Sequence, residues 1–429
     1  MKNLNKFVYL LIIFHCIKSS LQAYVIYHFK KSTKEKKIYP ENLLQNDLEI
    51  TIPIGTPPQN IDLNLRSKVY PFFITSSKVD LPYKTFNETQ SKTLIKIGNK
   101  PEEYGGQEFS AGNEIYESII INGREIKNIS LILATSIVYK QSGALGLRLV
   151  DSFENDGDLS FIYQIKHLAN LDNYAFTLKY DNDEKGELII GSYPHFYDKK
   201  FKEQNFVYTR AGVIGKNVDW VLDFDFIRYN NKTINSIAKK SLIKIEYGLI
   251  QAPYNLKKYF NDNFFNNKCK ERFDIMRNIY IIHCDKNFEI NNFKNLSFVL
   301  KDVGYEFVLT YKDLFIEQNN EYIFSIVFDN KFDNSESNWI LGKLFMKKYQ
   351  LVFDLERKII GLYKENQENN GNEKTKNNYV KYIILLIVLS IIFIILLIYL
   401  IYIIKKQRKH RAYELNDDNF DYIPSDSIQ

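Results

Sequence analysis

Cysteine is scarce, with three in 429 residues. That excludes a disulfide-framework miniprotein and any multi-cysteine zinc module. Glycine (18) and proline (10) are too few for a collagen-like or proline-rich scaffold. The six histidines (His15, His28, His167, His195, His283 and His410) form no HExxH and no paired metal spacing, so no metal is expected. No glycine loop that cradles phosphate occurs, no serine and histidine suggest a nucleophile, and no cofactor is implied. Charge excess is also small. The net charge is +6, and Lys2, Lys6 and Lys18 at the extreme N-terminus account for much of it. A nucleic-acid partner is therefore not expected. Hydrophobic residues make up 45% and charged residues 25%, which is globular rather than disordered composition.

What is present is placed first by the two ends. Lys2 and Lys6 precede an apolar run from Phe7 to Ile17, and small or polar residues follow to Ala23. This is the layout of a signal peptide over residues 1–23, and the run is short for a membrane span. Near the other end, Ile383 to Ile404 is almost entirely aliphatic. Such a stretch crosses a hydrocarbon core of about 30 Å. Lys405, Lys406, Arg408, Lys409 and Arg411 follow it and place that side in the cytosol. The expected protein is a single-pass type I membrane protein of the plasma membrane or an endomembrane. Residues 365–378 would form a polar stalk, 379–404 the membrane helix and 405–429 a cytosolic tail.

A lumenal or extracellular body has chemical consequences. Four sequons begin at Asn87, Asn128, Asn231 and Asn295, and each implies an exposed loop if glycosylated. Once Cys16 leaves with the signal peptide, Cys269 and Cys284 remain as a pair in an oxidising compartment. A disulfide between them is the default. The rival reading is a nucleophilic cysteine beside His283.

The body reads as β structure. Short runs of β-branched and aromatic residues include Leu48–Ile54, Ser118–Ile121, Ala175–Tyr180, Glu187–Ile190 and Leu351–Phe353. Asn122-Gly123 between apolar flanks is a hairpin signal. Leu256–Phe265 is a candidate helix. The pattern predicts a large all-β architecture, with two lobes as one way to divide it.

Several blocks resemble the pepsin-like aspartic proteases. Ile54-Gly55-Thr56-Pro57-Pro58-Gln59 is the most specific. Tyr104-Gly105-Gly106 resembles the flap turn, and Gly143-Ala144-Leu145-Gly146-Leu147 the segment that threads the first lobe. Phe176-Thr177-Leu178, Gly186–Gly191, Trp220-Val221-Leu222, Trp339-Ile340-Leu341-Gly342, Val352-Phe353-Asp354 and Ile360-Gly361 follow in the family's order. The resemblance implies a bilobal all-β fold. Residues 24–47 would be a short N-terminal segment, 48–208 the first lobe and 209–364 the second. Cys284 falls where the family's second-lobe disulfide has a partner.

The family's chemistry rests on two Asp-Thr/Ser-Gly turns whose carboxylates share a proton. One acts as base toward water while the other donates to the peptide carbonyl. No such tripeptide occurs in this chain. Alignment from Ile54-Gly55-Thr56-Pro57 puts Arg66-Ser67-Lys68 at the first turn. The second aligns at Lys244-Ile245-Glu246. Asp302-Val303-Gly304 lacks the hydroxyl, and Asp62 reaches the cleft only if its strand shifts. Neither Arg nor Lys⁺ serves as a base at acid pH. The two cations need a counter-ion, and Glu246 is the local candidate for an Arg66–Glu246–Lys244 cluster. Such a cluster reads either as a structural salt-bridge knot or as a seat for an anionic ligand group. Residues His28 to Lys37 are basic, but they offer little length to cover a cleft as a prosegment.

The expected function is that of a catalytically inactive homologue. It would hold a peptide or protein ligand in a groove lined by Tyr104 and by Phe73, which stands at the family's cleft tryptophan. Two alternatives stand beside it: an active endopeptidase with a non-standard dyad, and a structural or adhesive surface glycoprotein.

Overall fold

The computed structural model describes residues 24–32, 41–100, 108–150, 159–214, 217–234, 239–265, 268–275, 277–330 and 338–364. The signal peptide, the stalk, the Ile383–Ile404 segment, the tail and Tyr104 lie outside these residues. Among the described residues, no helix is long and apolar enough to cross a membrane. The described residues fall in one compact unit that ends at Glu365.

The strands in chain order are β1 (Val25–Lys31), β2 (Leu48–Ile54), β3 (Gln59–Arg66), β4 (Phe73–Thr75), β5 (Ile95–Lys100), β6 (Phe109–Ile121) and β7 (Arg124–Ile137). Then come β8 (Gly143–Gly146), β9 (Ala175–Tyr180), β10 (Lys185–Ile190), β11 (Phe206–Arg210), β12 (Val213–Ile214), β13 (Asn217–Val218) and β14 (Val221–Asp223). The later part holds β15 (Phe226–Tyr229), β16 (Lys232–Ile234), β17 (Lys240–Ile243), β18 (Ile250–Ala252), β19 (Cys269–Asp274), β20 (Ile279–Asp285) and β21 (Leu296–Leu300). It ends with β22 (Tyr305–Leu309), β23 (Phe315–Gln318), β24 (Glu321–Phe324), β25 (Ile326–Asp329), β26 (Trp339–Leu341), β27 (Val352–Asp354) and β28 (Ile359–Tyr363).

Alternation sets the strand faces. In β2, Leu48, Ile50, Ile52 and Ile54 are buried while Thr51 is exposed. Ile52 pairs with Ile61 and Ile50 with Leu63 of β3, so both strands feed one core. Asn122 (φ 50°) and Gly123 (φ 75°) turn β6 into β7, as a two-residue hairpin requires. The expected helix over Leu256–Phe265 is an α-helix only to Phe260. A π turn follows over Asn261–Phe265, and its wider pitch lets the adjacent Phe264 and Phe265 both face the core.

One sheet of 13 strands runs β11-β28-β27-β9-β10-β1-β2-β3-β8-β4-β7-β6-β5. Its first three members come from late in the chain or from the connection between the expected lobes. β27 pairs with β9 (Phe353 opposite Phe176), which ties the chain's end to its first half. β1 lies inside this sheet between β10 and β2, with Val25, Tyr27 and Phe29 buried. A second, nine-stranded sheet carries β14, β17, β26, β18, β25, β20, β24 and β23, with β19 paired to β20. A four-stranded sheet, β16-β15-β21-β22, covers the later half.

Trp220 joins the halves. It is buried, packs against Phe176 and Phe353, and its Nε1–H donates to Leu147 O at 2.7 Å. Burying one large side chain of this kind contributes about 1.5–3 kcal/mol.

Candidate functional site

Two parallel strand pairs deliver the central turns. β3 runs parallel to β8, with Arg66 opposite Gly146. β17 runs parallel to β26, with Ile243 opposite Leu341, which brings Lys244 to Gly342. Both glycines are required by contact. A Cβ on Gly146 would lie 2.4 Å from the Tyr70 carbonyl carbon, and one on Gly342 2.4 Å from the Tyr247 and Leu249 oxygens. Leu147 N–H donates to Arg66 O at 2.8 Å, and Lys244 N–H to Leu341 O at 3.1 Å. The two turns are built alike, one from each half.

They meet through Ser67. Its hydroxyl accepts from Ile245 N–H at 3.1 Å and donates to Glu246 Oε2 at 2.7 Å. Ser67 N–H donates to the same oxygen at 3.1 Å. Glu246 Oε1 is buried with no hydrogen-bond partner among the described residues. Ile245 has no hydroxyl, so the clasp runs from Ser67 alone.

The counter-ions correct the expected Arg66–Glu246–Lys244 cluster. Arg66 Nη1 meets Asp47 Oδ1 at 2.8 Å, and its Nε stands 3.8 Å from Glu108 Oε1. Lys244 Nζ meets Asp219 Oδ2 at 2.7 Å. Glu246 is held by Ser67 rather than by either cation. The physical reason is reach: each turn points its cation toward a carboxylate from a neighbouring segment, while Glu246 turns back to the buried Ser67 hydroxyl. Asp47, Glu108 and Asp219 were not singled out from sequence. Asp219 had a weak signal, since it precedes the Trp220-Val221-Leu222 block. Asp47 and Glu108 had none.

Glu108 extends the network along the floor. Gln141 Nε2–H donates to Glu108 Oε2 at 2.7 Å, and Asn64 Nδ2–H donates to Gln141 Oε1 at 2.9 Å. Thr75 Oγ1–H donates to Gln141 O at 2.7 Å. These groups are buried, and their mutual hydrogen bonds are what make a polar floor tolerable, although Asn64 Oδ1 has no partner among the described residues.

The segment before β2 forms a strap over the second turn. Asn46 N–H donates to Glu246 O at 2.9 Å, Gly248 N–H to Leu44 O at 2.9 Å, and Asn46 Nδ2–H to Ile245 O at 2.8 Å. Gln45 and Tyr247 form an isolated antiparallel bridge. Asp47 thus reaches Arg66 because its neighbours are pinned to the other half. Burial raises the pKa of the Tyr247 hydroxyl, with Glu246 and Asp329 adding to it. Around these groups lies a cavity of about 740 Å³, lined from both halves by residues that include Asp47, Arg66, Lys68, Glu246, Tyr247 and Val327.

Phe73 does not line it. Phe73 is fully buried on β4 and packs with Phe109, Ile132, Ala134, Ala144 and Leu159. The register opposite Ala144 of β8 and Ile132 of β7 turns its ring into the core, so the expected groove contact is corrected. Asp62 accepts from Thr51 Oγ1 at 2.7 Å on the partly exposed face of β3 and takes no part in the cavity wall. Cys269 and Cys284 stand directly opposite each other in the β19–β20 pair and form a disulfide, which removes the nucleophile reading. His283 beside them bonds Glu321 at 3.1 Å. Asn128, Asn231 and Asn295 are exposed, whereas half-buried Asn87 caps a short 3₁₀ turn and accepts from Thr89 N–H at 3.1 Å.

The family described as Eukaryotic aspartyl protease matches residues 49–365. The chain belongs to this family. It is similar to Pregnancy-associated glycoprotein 2 of Bos taurus, 24% identical over 78% of this chain and 87% of that protein. It is also similar to Plasmepsin VII of Plasmodium berghei (strain Anka), 30% identical over 31% of this chain and 27% of the relative. Plasmepsin VII of Plasmodium falciparum (isolate NF54) is 31% identical over 30% of this chain and 28% of that protein. The bilobal pepsin-like fold expected from the ordered motifs is thereby shown.

Proposed function

We propose that this chain is a catalytically inactive pepsin-like protein that holds a peptide or protein ligand in its cleft. Arg66 and Lys244 stand where the family carries its two aspartates. The observation that carries this reading is the pairing at the two turns. Each presents a cation, and each cation is bound to a carboxylate from another segment, Asp47 at 2.8 Å and Asp219 at 2.7 Å. Shared-proton catalysis needs two facing carboxylates with one proton between them. Here a guanidinium and an ammonium occupy those places, and neither accepts a proton in the working range. The carboxylates that flank Arg66 both face that cation.

The same reading places the body outside the cytosol, tethered by Ile383–Ile404 as a type I membrane glycoprotein. The Cys269–Cys284 disulfide fits an oxidising compartment, and three exposed sequons fit glycosylation.

The test is a cleavage assay on the full-length chain. A diverse peptide library is incubated from about pH 3 to about pH 7, with and without pepstatin. Lys244→Ala controls for a contaminating protease, and Asp47→Asn with Glu108→Gln tests a displaced dyad. No cleavage is expected. Pepstatin-sensitive cleavage that disappears in the Asp47→Asn, Glu108→Gln protein would overturn the reading.

A further inference from the structure

The charges around the cavity are not equally available. Its carboxylates are sunk and engaged: Asp47 meets Arg66, Glu49 accepts from Ser32 Oγ at 2.7 Å, Glu108 accepts from Gln141 and Glu246 from Ser67. Glu49, Glu108 and Glu246 are all buried. Arg66 is spent on Asp47, and Arg277 meets Asp274 at 3.0 Å. Two lining cations differ. Lys68 and Lys140 are exposed, and neither has an ion-pair partner among the described residues. Lys68 reaches the Tyr247 ring, at 5.4 Å from its centroid. Beside Lys140 the lip carries Val138 (54% exposed) and Tyr139 (52%), apolar surface left to solvent. Across the cavity, Leu249, Ile279 and Val327 supply an apolar wall.

We infer that the cleft takes an acidic peptide segment, one that pairs its carboxylates with Lys68 and Lys140 and lays an apolar side chain along Val138 and Tyr139. This rests on the cleft-binding reading above and names its ligand class. A bound segment touches the lip before the floor. It meets two exposed ammonium groups and apolar surface there, before the buried carboxylates. The floor carboxylates reject a ligand carboxylate that goes deeper, so the acidic residue stays at the mouth. Exposed cations steer an anionic partner and select against a cationic one. Their contribution is screened by salt, because the groups are solvated.

The full-length chain is titrated against three fluorescent peptides of one apolar sequence. They carry two Glu, two Gln or two Lys at matched positions, and anisotropy is read at about 50 mM and about 500 mM salt. The Glu peptide is expected to bind about tenfold more tightly than the Gln peptide at low salt, with most of that preference lost at high salt. Lys68→Ala with Lys140→Ala removes the preference, and Lys68→Arg with Lys140→Arg keeps it. Lys68→Glu with Lys140→Glu shifts the preference to the Lys peptide, which shows a folded cleft. Lys270→Ala, on the β19–β20 hairpin outside the cavity lining, leaves the preference unchanged. Equal binding of the Glu and Gln peptides overturns the acidic-ligand inference and leaves the cleft reading standing. Tighter binding of the Lys peptide by the unsubstituted chain also overturns it. Binding of none of the three overturns both.

Discussion

At the scale of single residues, the site turns on where two cations find their partners. Arg66 is 12% exposed and Asp47 19%, so the pair is neither surface decoration nor sealed core. Exposed pairs contribute at most about 1 kcal/mol, and removing one partner of a buried pair costs about 3–5 kcal/mol. Asp47→Asn is expected to cost about 2 kcal/mol in urea unfolding of the full chain, because Glu108 at 3.8 Å is too far to replace a 2.8 Å contact. Arg66→Met in the same protein should recover part of that loss, since the guanidinium is then no longer left without its 2.8 Å partner, although Glu108 loses its more distant cation. Strict additivity of the two substitutions would mean that the pair is uncoupled. Glu108 and Asp47 were invisible to pattern reading because a lone carboxylate in a polar stretch looks like any solvated one.

At the scale of elements, pairing across the sheet decides which residues meet. β19 and β20 carry the disulfide partners in direct register, at a sequence separation of 15. Cross-linking a loop of that size restricts the unfolded chain by about 3 kcal/mol in the chain-entropy account. Cys269→Ser with Cys284→Ser should therefore lower unfolding stability by up to about 3 kcal/mol while the hairpin pairing persists. Urea titration measures the loss, and an unchanged stability would refute the entropic role. The strands themselves were legible. β2 and β9 coincide with the runs read from alternation and β-branching, and Asn122-Gly123 sits at its hairpin. The Leu256–Phe265 helix was legible only in part, since adjacent Phe264 and Phe265 break helical periodicity. Phe73 lay on a legible strand, but its facing was not legible, because β4 is three residues long and its sides are set by β7 and β8.

At the scale of the whole molecule, acid acts first on histidine. The pKa of His283 is held below the usual 6.5, mainly by burial and then by Arg272, with Glu321 opposing. The pKa of His195 is likewise lowered, by burial, with Glu203 opposing. A histidine with a depressed folded-state pKa binds fewer protons when folded than when unfolded. Its contribution to stability is present above 6.5 and is lost as pH falls through the folded value. Asp183 is lowered chiefly by its hydrogen bond to Lys347. Asp313 is lowered by Lys348 and Thr310 despite burial, and both carboxylates matter only below the ordinary aspartate value of 3.8. The unfolding temperature should therefore decline between about pH 7 and about pH 5, before carboxylates protonate. Thermal scans check this, and His283→Gln should flatten the slope. An unchanged slope in that variant would remove His283 as the cause.

The sequence by itself determined the strand-rich class, the family's ordered motifs and the absence of both Asp-Thr/Ser-Gly turns. These are properties of neighbours along the chain, written in alternation, turn residues and short blocks. Only the tertiary structure decided what neutralises the two cations, which way Phe73 faces, and that β1 is an inner strand of the sheet. Those are properties of neighbours in space. Asp47 meets Arg66 because the strap from Leu44 to Asp47 is bonded to the turn that follows Lys244, and Asp219 meets Lys244 because β14 pairs with β17. Coulomb energy depends on distance through the fold, and distance along the chain does not encode it.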